Sequence, residues 1–83
     1  MKIINIIESN RGIIQQVISY VVHEDQLKDE VYSGVINQFL EMVSTKDSKI
    51  TQDDLDDCLD KQMYYDQNGY VLEIIYSTAI INE

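Results

Sequence analysis

Leu27, Val31, Val35, Phe39 and Val43 recur at intervals of four, and Tyr32, Ile36 and Leu40 flank them. Apolar residues at steps of three and four line one face of an α-helix. The spacing predicts a helix from about Gln26 to Val43, roughly 27 Å long at 1.5 Å per residue. Most helical stability in a protein comes from covering such a face, so the rest of the chain must supply the cover. Gly34 inside this helix costs ~1 kcal/mol against alanine. Close packing of a neighbouring backbone would account for it.

Three other stretches can provide the cover. From Ile13 the apolar positions are Ile14, Val17, Ile18, Val21 and Val22, again at helical steps, with Ser9 or Asn10 placed to cap. A turn at His23-Glu24-Asp25 separates this helix from the long one. After a polar loop, Ser44 to Lys49, Thr51 opens a further helix with Asp54 three residues on, an acidic variant of the capping box. Asp53 and Asp54 in the first turn suit the positive end of the helix dipole. Leu55, Cys58, Leu59 and Met63 form its apolar stripe, and Asp66-Gln67-Asn68-Gly69 ends it. The last segment, YVLEIIYSTAII, is rich in β-branched and aromatic residues, which favours strand. As a helix over 70–81 it is apolar nearly all round. The reading is a mostly α protein, a small bundle of three to four helices. The alternative is an α+β fold with a short C-terminal β-hairpin around Asn68-Gly69, to which KIINII could add a strand.

The chain has 83 residues, the size of one small domain spanning 1–83. Its one cysteine, Cys58, excludes an internal disulfide, which fits a reducing, cytoplasmic setting. The N-terminal MKIINII breaks at Asn5 and Glu8, too early for a signal-peptide core or a membrane span. Abundant Ile, Asn, Tyr and Asp with almost no Ala is the bias of AT-rich coding, as in a low-GC bacterium, its plasmid or its phage. The net charge is −9. That charge opposes direct binding to nucleic acid phosphates or anionic membranes and favours a basic protein surface.

The charge is concentrated. Residues 52–60 read QDDLDDCLD, with Asp53, Asp54, Asp56, Asp57 and Asp60 in nine positions. At 100° per residue, Asp53, Asp56, Asp57 and Asp60 share one sector opposite Leu55, Cys58 and Leu59, with Asp54 at the margin. Carboxylates at these spacings are about 5–6 Å apart and repel. Such an array is either a solvated face or a surface shaped for a cationic groove. Asp66 continues it, and a second patch of Glu24, Asp25, Asp29 and Glu30 could extend it.

Catalytic, metal and cofactor sites are not expected. Lys49 to Leu55 resembles the exit half of an EF-hand calcium loop, but Val43 falls at its first ligand position and Thr45 at its third. Asp47 is its only good early ligand. One Cys and one His make no zinc set. Cys58 lies on the apolar side of its helix, and His23 at a helix end reads as a cap. Most of the six tyrosines should be core or core-edge. Tyr64, Tyr65 and Tyr70 beside the acidic helix could instead form an interface patch.

These features favour a non-enzymatic, acidic protein-binding inhibitor. Its carboxylates would copy the field of DNA on the basic surface of a nucleic-acid-binding protein or nuclease. Small phage inhibitors of restriction or CRISPR nucleases and bacterial immunity proteins work in this anti-defence style. The main alternative is a homodimeric regulatory or structural protein joined through the apolar 70–81 segment. In length, acidity and predicted helices the chain also resembles acyl carrier proteins. That resemblance implies phosphopantetheine on a serine of an Asp-Ser-Leu motif opening a helix. Here Ser33 sits in VYSG inside the long helix, and Asp47-Ser48 is followed by Lys49, so neither completes the motif.

Overall fold

A computed structural model of the chain describes residues 2–23 and 28–78. The elements run β1 (Lys2–Asn10), β2 (Ile13–Val22), α1 (Lys28–Lys46), α2 (Gln52–Lys61), β3 (Met63–Tyr65) and β4 (Tyr70–Thr78). The four strands form one antiparallel sheet in the order β2-β1-β4-β3. The expected bundle of three to four helices is therefore wrong: the fold is α+β, with two helices among the described residues. The hairpin across Asn68-Gly69 is present, but as one part of a larger sheet.

Two predicted helices are strands, for one shared reason. In β2, Ile18, Tyr20 and Val22 point to the core side while Ile14, Val17 and Val21 point away. A strand apolar on both faces puts residues at steps of one, three and four, which imitates a helical stripe. The β-branched content of β2 and β4 was the better guide. Their pairing with β1 is what local periodicity cannot display. Ser9 and Asn10 end β1 instead of capping a helix. The turn that follows places Arg11 at φ 53° and Gly12 at φ 82°.

The long amphipathic helix is real, as α1. Its stripe lies on one face of the sheet, and Val35, Phe39 and Val43 are fully buried there. Ile4 and Ile6 of β1, Leu72 and Ile74 of β4, Val22, Tyr64 and Tyr70 complete the core. Gln26, Leu27, Glu24, Asp25 and residues 79–81 lie outside the described residues, as does the side chain of Asp29. Gly34 is exposed, and a Cβ placed on it would meet no atom within 4 Å. Close packing does not explain this glycine. Gly34→Ala should therefore raise stability by ~1 kcal/mol, read as a higher urea midpoint with an unchanged slope.

The two hairpin turns meet at one end of the sheet. The Arg11 amide donates to the Gly69 carbonyl at 2.8 Å. Gly69 has φ 89°, and a Cβ there would lie 3.0 Å from Arg11 Cγ. Of the pair Asn68-Gly69, the glycine alone takes positive φ, where a side chain is strained.

Candidate functional site

Helix α2 starts where its capping chemistry begins. Thr51 is extended, at φ −81° and ψ 161°, and its Oγ1 accepts from the Asp54 amide at 3.2 Å. The helix ends at Gln62, which adopts the left-handed conformation at φ 55° and donates its amide to the Cys58 and Leu59 carbonyls. Gln62 also joins the helix to the rest of the molecule. Its carbonyl accepts from the Ile74 amide at 2.9 Å. Its side-chain nitrogen donates to the Tyr32 hydroxyl at 3.1 Å and the Tyr76 hydroxyl at 2.7 Å.

No side chain of α2 is fully buried. Leu55, Cys58 and Leu59 are half-buried against the core, so the stripe is shallower than its pattern suggests. Met63, read as part of this helix, belongs to β3. Asp53, Asp54, Asp56, Asp57 and Asp60 are all exposed. Two of them have close neighbours on the helix: Asp57 pairs with Lys61 at 3.0 Å, and Asp56 accepts from Gln52 at 3.0 Å. The Asp57 carboxylate raises the Lys61 pKa, by hydrogen bond first and by charge second.

Beside α2 lies an open groove of about 370 Å³, bounded by the α1–α2 loop and the β3–β4 loop. Asp54 and Asp57 line it from the helix, Asp47 and Asp66 from the two loops, with Lys61 and Tyr65 at its margin. Asp53, Asp56 and Asp60 are not part of its lining. Asp47, read in the sequence as the one good early ligand of an incomplete calcium loop, thus joins the acidic surface. Its carboxylate accepts from the Lys49 amide at 3.2 Å, a local loop bond that Asp-Ser-Lys foreshadows. Asp66 has a structural duty as well. One of its oxygens accepts from the Asn68 amide at 2.8 Å and the Tyr70 amide at 3.1 Å, which sets the β3–β4 turn.

The three tyrosines of the predicted patch separate. Tyr65 is 65% exposed, whereas Tyr64 and Tyr70 belong to the core. Their rings meet edge to face at 6.1 Å. Burial raises the Tyr64 pKa, helped by Asp47 and Asp66. The Tyr70 hydroxyl donates to Glu8 Oε2 at 2.6 Å, and Lys46 Nζ sits 4.4 Å over its ring. Alternation along the strands decides this: Tyr64 and Tyr70 face the helices, and Tyr65 faces away.

Other chemistry is thinner. Burial raises the Cys58 pKa, and the charges of Asp57 and Asp54 add to it, which disfavours the reactive thiolate. His23 is exposed just after β2. Among the described residues no three His, Cys, Asp or Glu side chains group as a metal site. Among them, too, no helix is long and apolar enough to cross a membrane. Comparison with protein-family models, curated proteins and solved structures finds no match.

Proposed function

We propose that the protein is a non-enzymatic binding module that offers α2 and its groove to a basic protein surface. That surface would be one that otherwise holds nucleic acid, and occupying it would inhibit the partner. One observation carries the reading: Asp47, Asp54, Asp57 and Asp66 surround an open groove, while Asp53, Asp56 and Asp60 extend the same charge over exposed helix. In water these carboxylates mostly repel one another, at a few tenths of a kcal/mol per close pair. A cationic groove turns that repulsion into attraction and speeds encounter.

The test uses affinity capture from host lysate, with the captured protein then titrated against purified variants. A nucleic-acid enzyme recovered at low salt and displaced by DNA supports the reading. The Asp53, Asp56, Asp57 and Asp60 to Asn quadruple variant should stay folded, because these side chains are exposed. It should bind that partner at least ~10-fold more weakly, with a flatter salt dependence. Undiminished affinity in the folded variant would reject the assignment of α2.

A further inference from the structure

We propose that the sheet face turned away from the helices docks a second copy of this chain, face to face about a two-fold axis. Strand alternation places Val17 and Val21 of β2, Ile7 of β1, Ile75 of β4 and Tyr65 of β3 on that face, and the register shift between Glu8 and Ser9 sets Ile14 there too, opposite Ser9. Ile14, Val17, Val21, Tyr65 and Ile75 are 62%, 49%, 41%, 65% and 38% exposed. They are five of the eight large apolar residues that stand exposed among the described residues. The exposed apolar surface is therefore gathered in one place. Contiguous apolar patches beyond a few hundred Å² are uncommon on monomers.

Charge selects the occupant. The chain carries 15 acids and 6 Lys or Arg residues. Among the described residues Glu73 is the one charged side chain on this face. A basic partner finds no acidic array here, and an acidic partner finds no cation. Depletion of charge is the mark of an interface core. Three polar residues at the centre of the face bond among themselves: Ser19 Oγ donates to Asn5 Oδ1 at 2.7 Å, and Asn5 Nδ2 donates to Ser77 Oγ at 3.2 Å. Covering these three leaves each with a partner. What such a face needs is a second neutral, apolar surface, and an identical copy provides one.

The register permits a two-fold arrangement. Asn5 and Ser19 pair across β1 and β2, and Asn5 and Ile75 pair across β1 and β4. An axis laid along this row brings Val17 and Ile7 of one copy over Val21 and Ile3 of the other, with Ile14 and Tyr65 at the rim outside the overlap. Each Glu73 then meets Ser77 of the partner subunit instead of a second Glu73. The long strands have 9, 10 and 9 residues. At about 3.3 Å per residue and 4.8 Å between strands, they present roughly 450 Å² in projection. That is below the ~800 Å² per partner of a standard interface, so a weak, reversible dimer is expected.

Sedimentation equilibrium of the full chain tests this, from about 1 to 200 μM. The wild type should pass from monomer to dimer across that range. Val17→Lys and Ile75→Lys should each hold it monomeric, with unchanged circular dichroism, since both sites tolerate exposure. Glu73→Gln should tighten the dimer several-fold. A wild type that remains a 9.7 kDa monomer throughout would overturn the proposal and leave the face to a different protein. So would an Ile75→Lys variant that dimerises like the wild type, because association would then run through another surface, such as the β2 edge. Asp56→Asn serves as a control that leaves dimerisation intact.

Discussion

Phe39→Ala should remove a large share of the stability of the folded state. Phe39 is fully buried at the middle of α1, with Val35 and Val43 fully buried one turn to either side. It lies where the helix stripe meets the sheet, so its ring is shared by both layers. Truncating a buried phenylalanine costs about 3–5 kcal/mol, through lost transfer energy and the cavity left behind. A chain of this size holds roughly 4–12 kcal/mol in total, at 0.05–0.15 kcal/mol per residue. The substitution thus removes a large fraction of the whole. No disulfide can compensate within the chain, because Cys58 is its single cysteine. Phe39→Leu keeps most of the volume and should cost less than about 1.5 kcal/mol. The two urea midpoints, compared at equal slope, decide it. A loss below ~1 kcal/mol for the alanine variant would mean that the layers hold together elsewhere.

Alkaline pH should unfold the protein by a route centred on Tyr70. Its pKa is raised, first by burial, then by the hydrogen bond to Glu8 and by the Glu8 charge. Tyr64 is raised by burial as well. An unfolded tyrosine loses its proton near pH 10. The folded protein keeps these two protons above that pH, so the native state binds more protons than the unfolded one. Stability is then complete below about pH 10 and falls as pH rises, by up to ~1.4 kcal/mol per pH unit for each retained proton. Tyr76 is raised too, by burial and by its bond with Tyr32, but it is about half exposed, and water reduces its share. Urea midpoints measured from about pH 8 to 11 should show the decline. Tyr70→Phe should remove the largest part of the slope. A flat profile through pH 11 would show that these hydroxyls ionise as readily in the folded state.

The sequence displays some of this fold and hides the rest. The stripe of α1 and the Thr51 cap of α2 are local features, set by residues three or four apart, and both appear in the structure. The sheet is not local. β1 pairs with β4 across the whole length of the chain, Lys2 against Thr78. Nothing within a short window signals that. The uncovered apolar face made matters harder, because it gave β2 and β4 apolar residues on both sides and so the steps of a helix. Acidic residues were easier to place, since their exposure follows from helix geometry alone. The tyrosines depended on strand parity, which exists only once Met63–Tyr65 is known to be a strand. Asp47 entered the acidic surface through the path of a loop that no periodicity describes.

Gln62 carries one more implication, for how such a molecule evolves. It turns the chain from α2 into β3 within a single left-handed residue while its carbonyl holds the Ile74 amide. No linker separates the acidic helix from the sheet. The charges on α2 are exposed and open to drift, one aspartate at a time. Their placement is inherited from strand register, and an insertion between Lys61 and Met63 alters helix and core together. Selection can readily rewrite what this surface attracts, but it has little freedom to move it.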